Sequence, residues 1–254
     1  MFRQKPFVLL VALAFLAAFA VSVFAQNVPL GPDTLDIVQT ENSNITLYPA
    51  PSINAEAGNV TELFIHGMTQ TKSWQGFYGN VTGTIILEDS QGNRFYDWQA
   101  AEPQGEVYAS VNQTITWTTV ECAPSIGDID YLNTWQTFYE MNYTDYDSIN
   151  NTYNMTNHQT FWTAYNTLTT CPTTYTYVNN VSQYTDFEGV LLTSDTQSTL
   201  IYVAILEDKA EGERDGKIGF DGGDYDFQLL VAEAGSTGAT MAAVTPYYFW
   251  VELQ

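Results

Sequence analysis

Residues 74–117 read WQGFYGNVTGTIILEDSQGNRFYDWQAAEPQGEVYASVNQTITW, and the alternation inside them decides the fold class. In Val81–Glu88 the side chains of Val81, Gly83, Ile85 and Leu87 point one way, and those of Thr82, Thr84, Ile86 and Glu88 point the other. The turn signal Asp89-Ser90-Gln91-Gly92-Asn93 follows, Arg94–Trp98 resumes, Ala101–Gly105 turns again, and Glu106–Val111 alternates through Val107, Ala109 and Val111. Period-two alternation bounded by Gly, Pro, Asn and Asp predicts an antiparallel meander, taken as the core sheet.

Outward from this stretch, further short runs alternate: Val60–His66, Thr114–Val120, Thr174–Val178, Phe187–Thr193, Thr199–Leu206, Tyr225–Val231 and Tyr247–Leu253. About ten short strands predict an all-β fold, an antiparallel β-sandwich spanning 60–254. Before it, 26–59 is a polar lead in which Pro29, Pro32, Pro49 and Pro51 forbid helix. Ile45 and Leu47 mark one short strand there. Within the sandwich, 122–171 reads as an insertion. Ile129, Leu132, Trp135 and Tyr139 fall at helical spacing, and so do Phe161, Trp162, Tyr165 and Leu168, predicting one or two short helices.

The amino terminus reads as an export signal. Arg3 and Lys5 precede an apolar run from Phe7 to Phe24, and Val23-Phe24-Ala25 suits signal peptidase, so residues 1–25 are expected to be removed before Gln26. The run is also long enough to serve as an uncleaved anchor, the one way in which a membrane would be a partner. Cys122 and Cys171 are the only cysteines, and an even count in an exported chain predicts that they pair and tie the insertion at its base.

Beyond the signal the chain carries all 29 acidic residues and five basic ones, Lys72, Arg94, Lys209, Arg214 and Lys217. A net charge near −24 excludes a nucleic-acid partner, because phosphate backbones would be repelled and cations attracted. Eight of the 17 asparagines open Asn-x-Ser/Thr sequons: Asn44, Asn59, Asn80, Asn112, Asn142, Asn150, Asn154 and Asn180. Chance would give about three at this composition. The excess predicts N-linked glycans and solvent exposure at these positions.

Chemistry-bearing motifs are sparse. Asp208–Asp226, DKAEGERDGKIGFDGGDYD, resembles an EF-hand loop through Glu211, Glu213, Asp215 and Gly216, but Gly222 stands where the bidentate glutamate belongs. Asp215, Asp221, Asp224 and Asp226 are the candidate Ca²⁺ ligands, against a solvated acidic hairpin as the alternative. The two histidines, His66 and His158, have no cysteine cluster or Gly-x-Ser-x-Gly elbow beside them, so no catalytic residue is assigned. Glu62, Glu88, Glu106, Glu121, Glu188 and Glu207 lie on or beside strands, which leaves glycoside hydrolysis as the enzymatic alternative. The aromatics Trp135, Tyr139, Tyr143, Tyr146 and Trp162 would either stack on sugars or pin the insertion to the sheet.

The blocks WQGFYGNVTGTIILED, GEVYAS, DYDSINNTYN, CPTTYTYVNN, GFDGGDYDFQLLV and PYYFWVEL together resemble a group of archaeal exported surface proteins. The resemblance spans most of the chain beyond the signal. It implies archaeal export, glycosylation and a β-rich domain, and it carries no activity or catalytic residue. The expected role is therefore binding or structural at the cell exterior, with the chain itself, other surface proteins or sugars as partners. The alternative is a filament subunit, with Thr34–Val38 in the lead adding to a neighbour's sheet edge.

Overall fold

The computed structural model describes residues 28–41, 50–100, 104–124, 129–194, 198–207, 217–233 and 245–254; side chains at 99, 100 and 129–133 are not described. The export signal, the short strand expected at Ile45 and Leu47, Asn44 and Asp215 lie outside these residues.

The fold is all-β and antiparallel. Two runs that are apolar on both faces build its centre, β9 (Glu188–Ser194) and β10 (Thr199–Ile205), buried at every position. On β10, Leu200, Tyr202 and Ala204 enter one core, and Ile201, Val203 and Ile205 enter another on the opposite face. Burying a side chain of this size contributes about 1.5–3 kcal/mol, so both faces of the sheet must be covered. β4 (Gly105–Ser110) pairs with β10, and β14 (Tyr248–Leu253) pairs with β4 at the edge. On the other side of β9 lie β5 (Glu121–Cys122) and β8 (Thr173–Tyr175), at successive positions along it.

The first face is covered by β1 (Trp74–Gly79) and β13 (Phe227–Ala232), paired from Trp74↔Ala232 to Gly79↔Phe227, with β13 packed over β10 and β9. The insertion completes this layer through α1 (Ile129–Phe138) and α2 (Ile149–Thr152), which bring Trp135, Tyr139, Ile149 and Tyr153 into the same core. The Tyr153 hydroxyl donates to the Leu230 carbonyl at 2.8 Å, and the Trp74 indole donates to the Asp147 carbonyl at 2.7 Å. The second face is covered by Ile115, Trp117 and Val120 and by a hairpin of β6 (Phe161–Thr163) and β7 (Asn166–Leu168).

Four expectations change. The 74–117 stretch is not a meander: β2 (Gly83–Glu88) and β3 (Arg94–Ala100) form a hairpin that pairs only with itself, while β1 and β4 find partners more than ninety residues away. Phe161–Leu168 is not helical. Ala164 and Tyr165 both take positive φ, the backbone of a two-residue type I′ turn, and Phe161 and Leu168 meet as a cross-strand pair. Thr114–Val120 holds a 3₁₀ turn at Trp117–Thr119 rather than a strand. Val60–His66 pairs with no strand among the described residues and is exposed throughout. Alternation reports that a segment suits a strand; it does not supply the neighbour.

The Cys122–Cys171 disulfide is formed and closes the insertion at its base, as the cysteine count predicts. Among the described residues no helix is long and apolar enough to cross a membrane.

Candidate functional site

Of the predicted cation loop the structure describes residues 217–226, and there Asp221, Asp224 and Asp226 take separate local roles. β11 (Lys217–Ile218) and β12 (Asp224–Tyr225) form a small hairpin. At its turn the Asp221 carboxylate accepts the Gly223 N–H at 2.9 Å and the Tyr225 hydroxyl at 3.0 Å. The Gly223 hydrogen bond holds its pKa below the usual carboxylate range. Asp226 turns inward and accepts the Val81 N–H at 2.7 Å, fastening the end of β1. Asp224 is exposed. Among the described residues no group of three acidic, histidine or cysteine side chains is placed to hold a metal.

Two carboxylates that come close are Glu106 and Glu252. They face one another in the β4–β14 register, beside the pair Tyr108↔Trp250. Glu106 is 3 % exposed and Glu252 8 %. The Tyr108 hydroxyl stands 3.4 Å from Glu106 Oε2 and 3.3 Å from Glu252 Oε2 and also touches the Thr163 hydroxyl. Gln254 Nε2 donates to Glu106 at 3.2 Å. A phenol has one proton and cannot donate to both carboxylates at once, so it cannot by itself stabilise both acids in their charged forms. Burial, reinforced by the charge of Glu252, pushes Glu106 up to about 8, and burial raises Glu252 to about 7. Glu252 was not among the acids singled out from the sequence; only the register of β14 brings it there.

Both acids are buried. A depression of 480 Å³ lies elsewhere, beside the disulfide, lined by Val120–Cys122 and Tyr165–Thr169. Glu207 contacts Lys217 at 3.5 Å and accepts the Phe187 N–H, while Glu188 accepts the Gln159 N–H at 2.7 Å. Glu62, Glu88 and Glu121 are exposed. The His158 ring is used up structurally: Nε2 accepts the Cys171 N–H at 2.9 Å, and Nδ1 meets the Gln159 carbonyl at 2.7 Å. Burial lowers its pKa, in keeping with a neutral ring that accepts at Nε2.

Of the sequon asparagines, Asn59, Asn80, Asn142, Asn154 and Asn180 are exposed and Asn112 is half-buried, its Nδ2 donating to Thr199 at 2.9 Å. Asn150 departs from expectation. It lies on α2 and is 7 % exposed, because a helical turn packed into the core leaves no face for a glycan. Among the aromatics of the insertion, Trp135 and Tyr139 are core, whereas Tyr146 and Trp162 are exposed.

The largest feature is the lead. Leu30 forms a two-bond antiparallel bridge with Val251 on the outer edge of β14, at 3.0 and 2.8 Å. The chain then leaves and rejoins the body where Thr71 donates to Asp147 at 2.5 Å, just before β1. Between these anchors the described residues form no strand or helix, and their hydrogen bonds are local, such as Asn59 to Glu56. Apolar side chains nevertheless crowd it: Val38 is 97 % exposed, Phe64 97 % and Ile65 83 %, with Leu35, Ile37, Leu63 and Met68 also in solvent. The β2–β3 hairpin is likewise apolar and exposed, at Leu87, Phe95 and Trp98.

Comparison with protein families, curated proteins and solved structures finds no match.

Proposed function

We propose that this chain is a structural glycoprotein of the cell exterior, a subunit of an extracellular filament whose copies join by strand addition. One observation carries the reading: a lead tied to the body at both ends whose large apolar side chains stand in solvent. Isolated exposed leucines are ordinary on a protein surface, but an apolar run of this length marks a surface that another chain covers. Half of the segment 31–70, fully extended, spans at most about 70 Å, and a compact body of this size is about 40 Å across. The arm is therefore long enough to reach a neighbouring copy. Backbone hydrogen bonds to an open edge would supply affinity, and alternate side chains specificity.

Export, the disulfide and the exposed sequons suit such a setting, since glycans on the outer surfaces would leave association to the edges. A glycan-active enzyme is disfavoured by the Glu106–Glu252 pair being sealed inside the sheet rather than lining a cleft.

The test is electron microscopy and sedimentation of protein purified from its export host across a range of concentration and salt. Filaments or concentration-dependent oligomers are expected, favoured by salt because the subunits repel one another electrostatically. Deletion of residues 50–68 should abolish them while leaving the melting temperature unchanged. A monodisperse monomer under every condition would refute the reading.

A further inference from the structure

The donor and the acceptor of this joint are identifiable from the free edges of the sandwich, an inference that rests on the strand-addition reading above. Among the described residues the layer over the first face has two strands, β1 and β13, against a main sheet whose edge runs out to β14. Among the described residues β1 is paired along one side only. Beneath that open side the core is incompletely covered. Phe77 of β1 and Phe249 of β14 meet edge to face at 5.2 Å, and both remain half-buried, as do Val81 and Leu253 beside them. The outer edge of β14 is already engaged at Leu30. The vacant ladder over an unfinished core is that of β1.

We propose that Val60–His66 of a second copy of this chain adds to the outer edge of β1. The pattern of the segment fits. Leu63 and Ile65 share one face of a strand, and Glu62, Phe64 and His66 share the other. Leu63 and Ile65 would cover Phe77 and Phe249, while Phe64 would lie on the face of Tyr78, whose ring already packs against Phe220 and Tyr225 at 5.0 and 4.7 Å. Glu62 and His66 would stay in water. Gly76, at the middle of β1, has nothing within 4 Å of where a Cβ would stand, so the outer face beside Tyr78 has room for the side chains of an added strand. The segment's own copy of β1 begins only eight residues further on, yet the segment is unpaired and exposed. Its apolar side chains are thus left for another molecule. Local charge permits the approach, since Glu56, Glu62 and Lys72 are the only charged residues from 50 to 73.

Two single-cysteine preparations of the full chain, Gly76→Cys and His66→Cys, one isotopically labelled, are mixed and treated with a short bis-maleimide; the native cysteines are paired and do not react. These positions share strand parity with the proposed contact, and neither side chain packs in the isolated body. The expected result is a 66–76 cross-link joining a labelled to an unlabelled chain, at least tenfold above that between His66→Cys and a Tyr248→Cys partner on the β14 edge. In parallel, Leu63→Asp with Ile65→Asp should abolish assembly with no change in melting temperature. Assembly that persists in that variant, or that cross-links at 248 or through Asp36→Cys instead of 66–76, would overturn this joint while leaving strand addition standing. A 66–76 link confined to a single chain in the doubly substituted protein would show that the arm folds back on its own β1, and would overturn it too. Absence of any assembly in the parent protein would remove the underlying reading itself.

Discussion

Replacing Glu106 by glutamine should change how stability depends on pH. In the folded chain Glu106 titrates near 8 and Glu252 near 7, chiefly because burial disfavours their charged forms, against about 4.5 when unfolded. A carboxyl whose folded pKa is raised binds more protons in the native state than in the unfolded chain. Its contribution is complete below pH 4.5 and is lost as pH climbs towards 8. At about 1.36 kcal/mol per unit, the Glu106 shift alone has a ceiling of roughly 5 kcal/mol. The two acids share one hydroxyl and titrate as a pair, so their contributions do not add; about 4 kcal/mol for the pair is a reasonable figure. For a domain of this size that is a fall in Tm of roughly 10 °C between pH 5 and pH 8.5.

The general acidity of the chain pushes in the same direction, so the measurement is a comparison. Thermal unfolding is followed by circular dichroism from pH 4.5 to 9 for the parent, Glu106→Gln and the double glutamine variant. The glutamine amide keeps the shape and can still accept from Tyr108, but it cannot ionise. The variants should match the parent or fall slightly below it at pH 5 and exceed it at pH 9, with the double variant flattest. A residual slope is expected from Glu207, which burial raises to about 7. Parallel curves for parent and variants would refute the argument that this pair is sealed and proton-sharing.

Further outcomes follow from the same geometry. Substituting both Cys122 and Cys171 by serine should cost about 4 kcal/mol, the loop-closure entropy for a separation of 49 residues, and denaturant melts would read it. Leu200→Ala, at a fully buried position in the central strand, should cost about 2–5 kcal/mol in the same assay, whereas Phe64→Ala on the arm should leave the monomer's stability unchanged. Glycopeptide mapping of host-derived protein should find occupancy among the exposed sequons Asn59, Asn80, Asn142, Asn154 and Asn180, and none at Asn150. A fully occupied Asn150 in folded protein would contradict the packing of α2.

The residues show unevenly which parts of this molecule were written locally. The runs Phe187–Thr193 and Thr199–Leu206 announce central strands, because a segment apolar on both faces belongs in a sheet covered on both sides. The disulfide follows from an even cysteine count behind an export-like amino terminus, and the first helix of the insertion from the spacing of Ile129, Leu132, Trp135 and Tyr139. Each is a property of composition or of neighbouring residues and needs no knowledge of what lies across the fold. Partner choice is different. Leu63, Phe64 and Ile65 alternate as a strand yet meet no strand among the described residues, and Phe161 and Leu168 imitate helical spacing because a two-residue turn sets them opposite each other. Most clearly, Glu106 and Glu252 are 146 positions apart and indistinguishable from other strand glutamates until β14 settles beside β4 in one register. A one-residue slip there would turn Glu252 to the other face of the sheet and leave Glu106 without its partner. Pattern specifies which side of a strand is apolar; only the packed structure specifies which strand lies beside it.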